Sequence, residues 1–128
     1  MITMTLGDIF NTVPILREFS EKEFPGFVTF KIARIIREFD KEIQLFESGR
    51  EKIAYKFGEK DENGNLVLLE NGNIKVPEEN ILECNKELKE LLDTEVEINA
   101  EKIHVDIFEK IEMTPSQALL LEPIVEFE

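Results

Sequence analysis

Between Glu59 and Glu70 the residue types fall almost on the spacing of a calcium-binding loop. With Glu59 in the first position, Asp61 takes the third, Asn63 the fifth, Gly64 the sixth, Leu66 the eighth and Glu70 the twelfth. A hard divalent cation needs such alternating oxygen donors around a glycine turn, closed by a bidentate carboxylate. Two features oppose that chemistry. Asn71-Gly72-Asn73 follows Glu70 directly and breaks the exiting helix an EF-hand requires, and Glu59 stands where aspartate is usual. Asn71-Gly72 is instead the preferred two-residue hairpin turn. Pairing outward from it sets Leu69 opposite Ile74 and Val67 opposite Val76, with Asp61 to Gly64 as an ordinary turn. No metal and no other cofactor are expected.

Other reactive groups are sparse. His104 is the only histidine, in a predicted strand with no nucleophile motif around it, so no triad can be assembled. No glycine-rich phosphate loop follows a strand. Cys84, the only cysteine, has no disulfide partner and no companion at metal-ligand spacing, and it falls on an apolar helical stripe. Carboxylates are numerous, but none is distinguished as an acid-base pair. The chain is expected not to be an enzyme.

The elements that must position these residues follow from periodicity. Ile32, Ile36, Phe39, Ile43, Phe46, Arg50, Ile53 and Phe57 alternate steps of four and three, which predicts a helix over 27–57 bounded by Pro25-Gly26 and Gly58. Gly49 within it predicts a bend or a close helix contact. Arg50 interrupts the apolar seam. Three roles are open to it: snorkelling to the surface, pairing with a glutamate of the facing helix, or marking where a partner binds.

A second helix starts near Pro77 with the stripe Ile81, Cys84, Leu88, Leu91 and Leu92, and runs antiparallel to the first. It covers half of the long helix. The N-terminal segment, the C-terminal segment or another subunit must cover the rest. Short strands are predicted around Val96–Ile98 and Ile103–Ile107, as extensions of the hairpin's sheet. Thr114 to Gln117 forms a capping box for a short helix through Leu121 that Pro123 stops. Leu6, Ile9, Phe10, Val13 and Leu16 predict an N-terminal helix that Pro14 kinks or splits. The expected class is α+β: one domain over 1–128, a long helix and a shorter antiparallel helix joined by a β-hairpin, with short terminal helices and a small antiparallel sheet.

Composition and charge narrow the function. With 42% hydrophobic residues and ten Phe, the chain can build a core despite 34% charged residues. No apolar run is long enough for a membrane span and no signal sequence is evident, so a cytoplasmic protein is expected. The formal net charge is -13, and residues 59–128 alone hold six Lys/Arg against nineteen Asp/Glu. Such a field repels nucleic acid and anionic membranes and favours a protein partner with a basic surface. The partner-binding residues expected are Glu79, Glu83, Glu87 and Glu90 on the second helix, and Arg50 on the long helix.

The run "FKIARIIREFDKEIQLFESGREKIAYKFGEKDENGN", followed by "NKELKELLDTEVEI" and a late "SQALLLEPIVEF", resembles small acidic proteins encoded in tailed phages and prophages of Gram-positive bacteria. The resemblance spans about residues 25 to 125 and rests on helix and turn signatures, with Tyr55-Lys56-Phe57-Gly58 where relatives often have tyrosine directly before the glycine. It brings no site residues with it. The resemblance implies a phage context and no function of its own; the asymmetric charge and the lack of a catalytic constellation add the expectation of a binding protein in the host cytoplasm, with its acidic surface as a nucleic-acid mimic that inhibits host defence. The alternative is a virion or assembly component that oligomerises or binds a structural protein through the uncovered part of the long helix. A small carboxylate-dependent enzyme is the least supported class.

Overall fold

In the computed structural model, which describes residues 1–109 and 111–128, the chain is α+β, with four helices and two two-stranded pairings, one antiparallel and one parallel. The elements are β1 (Ile2–Thr5), α1 (Leu6–Phe19), α2 (Gly26–Phe57), α3 (Glu78–Leu92), β2 (Glu95–Ile98), β3 (Ile103–His104), α4 (Pro115–Leu121) and β4 (Val125–Glu126).

Helix α1 starts where Thr5 accepts a hydrogen bond from the Asp8 N–H at 3.1 Å, and it runs through Pro14 without dividing. Its one fully buried polar side chain is Thr12. That hydroxyl donates to the carbonyl of Asp8 at 2.7 Å and faces the carbonyl of Leu120 at 3.1 Å, which ties α1 to α4. Phe10 packs on Phe46 with ring centroids 5.2 Å apart, and Arg17 pairs with Asp40 at 2.7 Å, so α1 lies antiparallel along the middle of α2.

At 32 residues α2 is about 48 Å long. The residues it buries are Val28, Ile32, Ile35, Phe39 and Phe46. The expected seam is therefore corrected: Ile36, Ile43, Ile53 and Phe57 are only half-buried, and Arg50 is exposed. A continuous seam needs one partner helix along its whole length. Here α2 is covered in three stages, by the strand region near residues 98–103, then by α1, then by α3. In the last stage a β-carbon on Gly49 would stand 3.2 Å from both end methyls of Leu91, so a side chain there would crowd α3.

The connection 59–76 differs in register from the expected hairpin. Asn71 keeps a negative φ, and only Gly64 and Gly72 have positive values, at 81° and 86°. A two-residue turn centred on Asn71-Gly72 needs both residues positive. The chain instead forms a turn over 69–72, closed by Gly72 N–H to Leu69 O at 2.9 Å and widened by one residue. Leu68 then faces Ile74, and Lys75 N–H bonds Val67 O at 2.9 Å, one residue out from the expected pairing. A turn of the same form spans 61–64. Both arise from one repeated tetrapeptide, Glu-Asn-Gly-Asn, at 62–65 and 70–73. The repeat closes a ring of three hydrogen bonds at eight-residue intervals: Glu59 N–H to Lys75 O (2.8 Å), Lys75 N–H to Val67 O (2.9 Å) and Val67 N–H to Glu59 O (2.9 Å).

The predicted strands do not join this connection. β2 pairs antiparallel with β1, setting Ile2 opposite Ile98 and Met4 opposite Val96. β3 stops at His104, where a 3-10 turn over Val105–Phe108 begins, and pairs parallel with β4 through Ile103 and Val125. Edge partners drawn from the chain termini thus replace the expected single antiparallel sheet. Helix α4 opens on the expected capping box, with Thr114 and Gln117 bonded reciprocally at 3.0 and 3.1 Å. Ile2, Ile9, Leu16, Phe19, Ile35, Phe39, Ile98 and Ile124 form the centre of the core that these elements share.

Candidate functional site

The second helix is held by its inner face. Cys84 is buried, and Leu88, Leu91 and Leu92 are half-buried behind it. Asn80 Nδ2 donates to the carbonyl of Phe57 at 3.1 Å, at the C-terminal end of α2 where backbone carbonyls need donors. Glu79, Glu83 and Glu90 project to solvent and make no ion pair among the described residues. By the helical rise they span about 16 Å. Lys86, three residues from Glu83 and four from Glu90, is exposed on the same face, and Leu82, 80% exposed, lies with Lys89 along its edge, so the three acids surround a lysine.

Glu87 does not belong to that free face. Its Oε1 pairs with Lys56 Nζ at 2.9 Å across the α2–α3 contact, and its Oε2 is buried without a hydrogen-bond partner. The reason is geometric. The rotation from Glu83 to Glu87 turns its side chain toward α2, whereas Glu79, Glu83 and Glu90 stay outward. The same carboxylate acts on Cys84 one turn away. Burial, and then the charge of Glu87, pushes the Cys84 thiol above its ordinary value of 9.0.

Arg50 stays at the surface, paired with Glu47 of its own helix and lying over the Phe46 ring at 5.7 Å from the centroid. Of the three roles open to it, pairing across to a glutamate of the facing helix is not realised. It borders a shallow cleft of about 460 Å³ with Asp8, Asn11 and Asp93. The four glutamates and Arg50 are therefore not one constellation: three acids share the outer face of α3, Glu87 braces the helix contact, and Arg50 lies beside α1.

In the loop with calcium-like spacing, Glu59 pairs with Lys75 at 3.1 Å, and Asp61 Oδ1 accepts the N–H groups of Asn63 and Asn65 at 2.8 and 3.0 Å. Glu70 is followed by the second turn, not by a helix. No group of three or more metal-ligating side chains converges among the described residues. His104 receives the Asp106 N–H on Nδ1 at 3.3 Å and so caps the 3-10 turn. No described helix is long and apolar enough to cross a membrane.

One surface lies outside the sequence-based expectations. Lys31, Arg34 and Arg37 line a groove of about 870 Å³ with Phe30, Asn99 and Glu101, on the N-terminal half of α2. Its signal is the three-residue spacing of cations on the face opposite the apolar stripe. Against a net charge of -13 that local pattern is easily overlooked.

No protein-family model matches this chain, and neither a curated protein nor a solved structure matches it.

Proposed function

We propose that the chain is a phage-encoded acidic protein that works in the host cytoplasm by binding a protein with a basic surface, through Glu79, Glu83 and Glu90 on the outer face of α3. The observation that carries this reading is that these three carboxylates are exposed, and make no ion pair among the described residues, on a helix whose opposite face is fixed to α2. An ordinary surface acid gains little from a neighbour in water, whereas a pre-placed row facing a basic groove adds steering and register. The long helix and the shorter one, joined through the connection 59–76, act in this reading as a stiff frame for the row. Glu79 and Glu83 are separated by a rise of about 6 Å, on the order of two phosphate steps along one DNA strand. That spacing supports action as a nucleic-acid mimic against a host-defence protein.

The assembly-component alternative rested on a long helix left half bare. With α1 and the strand region lying along α2, that feature no longer favours it.

The test is capture from an extract of a Gram-positive bacterium on the immobilised protein, with bound proteins identified by mass spectrometry and challenged with duplex DNA. The expected result is a nucleic-acid-binding protein that is released by DNA and by raised salt. A bound protein that DNA does not displace would contradict the mimicry. Capture of no protein at low salt would contradict the binding role.

A further inference from the structure

The N-terminal half of α2 has a free face of its own. Phe30, Ala33, Arg34 and Arg37 follow the i, i+3, i+4, i+7 spacing that puts side chains on one side of a helix, and all four line the groove of about 870 Å³ that Asn99 borders from across it. A volume of that order suits one small ligand.

The cations around this groove are of two kinds. Lys31 is matched by Glu101 at 3.3 Å, and farther along Lys41 is matched by Glu38 at 3.0 Å and Arg17 by Asp40 at 2.7 Å. Arg34 and Arg37 make no ion pair among the described residues. Arg34 gives its Nε–H to the carbonyl of Asn99 at 3.2 Å, which holds the guanidinium in place and leaves its terminal nitrogens for a ligand. Two uncompensated guanidiniums one helical turn apart suit a phosphate monoester, which carries nearly two negative charges at neutral pH and three acceptor oxygens. A carboxylate would match only one of them.

On the same face Phe30 is 78% exposed, and the helix rises about 10 Å from it to Arg37. A bare aromatic ring beside cations is a stacking platform for a planar base. Ala33 stands between the ring and the guanidiniums, where its small side chain leaves room for a sugar. The Asn99 side-chain amide brings both a donor and an acceptor, the combination that the edge of a base requires and a phenol ring does not.

We infer that this groove binds a nucleotide, with its base stacked on Phe30 and met by Asn99, and its 5′-phosphate held between Arg34 and Arg37. The nucleotide is either a free one or the 5′-phosphorylated end of a strand, which present the same chemistry to the site. The body of a strand gains nothing further, because the next cations are already matched and the net charge of -13 repels a polyanion. At physiological salt the Debye length is about 8 Å, so a small anion in the groove responds chiefly to the two arginines. The site is separate from the acidic face of α3 and does not depend on the partner proposed for that face.

The test is titration of the purified, isotopically labelled protein with adenosine, guanosine, cytidine and uridine 5′-monophosphates, read from backbone amide shifts. Saturable shifts are expected at Ala33, Arg34 and Asn99, with affinity at least about tenfold lower for inorganic phosphate and for the unphosphorylated nucleoside. Arg34→Gln/Arg37→Gln and Phe30→Leu, all at exposed positions, should each weaken binding about tenfold or more while the rest of the spectrum stays in place. A short single strand with a 5′-phosphate separates the two sources: tighter binding of the strand than of the mononucleotide assigns the site to strand ends, and the reverse assigns it to free nucleotides. No shift with any of these ligands at millimolar concentration would overturn the inference. So would inorganic phosphate that binds as tightly as the nucleotides, unchanged affinity in both variants, a strand bound equally with and without its 5′-phosphate, or a phosphotyrosine peptide bound more tightly than every nucleotide.

Discussion

Glu87 and Cys84 show how differently neighbouring residues on one helix come to be used. In the sequence Glu79, Glu83, Glu87 and Glu90 look like one acidic row, because helical spacing alone places them within a broad arc. The distinction of Glu87 depends on Lys56, thirty-one residues earlier, and only the packing of α3 on α2 brings the two together. Cys84, in contrast, was legible as a buried residue from the apolar stripe alone. Its thiol is raised above 9.0 by burial and by Glu87, which has a signed consequence. A group whose folded pKa exceeds its unfolded value contributes stability that is complete below the unfolded value and is lost as pH rises through the folded one. Denaturation midpoints of the wild type should therefore fall more steeply above about pH 9 than those of Cys84→Ala, and the two curves should run parallel below that pH. Parallel curves throughout would mean that the thiol does not titrate differently on folding.

At the scale of elements, the helices and the strands β2 and β3 were readable, whereas β1, β4 and the pairing of the strands were not. Long stretches of regular periodicity, a capping box and proline or glycine at the boundaries specify α2, α3 and α4 locally. β1 and β4 are four and two residues long and gain their meaning only from partners at the other end of the chain. The connection 59–76 was legible as a turn at Asn71-Gly72, but its register was not, because that depends on whether Asn71 adopts a positive φ. The repeated Glu-Asn-Gly-Asn was the missed signal for two matching turns. Where this connection meets α2, Gly58 is required for space and not for conformation: a β-carbon there would stand 2.6 Å from the carbonyl oxygen of Ala54 and 2.8 Å from a Leu66 methyl. Gly58→Ala should destabilise the chain by about 1–3 kcal/mol in chemical denaturation. Gly26→Ala, at the other end of the same helix with nothing within 4 Å, should be neutral or slightly stabilising. Equal costs at the two glycines would contradict the packing described between α2 and the turn.

For the whole molecule, the distribution of charge matters more than its total. The C-terminal half supplies the entire formal charge of -13, and α3 shows part of it on a face that packing leaves open. The groove on the N-terminal half of α2 has the opposite sign. This polarity was only partly legible: the acidic half was evident from counting, whereas the basic groove needed Asn99 and Glu101 to be brought beside α2. The most direct test of the account is the affinity of the captured basic partner, titrated against the wild-type chain and against Glu79→Lys/Glu83→Lys/Glu90→Lys, with Glu87 left intact so that the α2–α3 contact is kept. The account predicts that the triple reversal abolishes binding while circular dichroism stays unchanged. Undiminished affinity in a folded triple variant would contradict it.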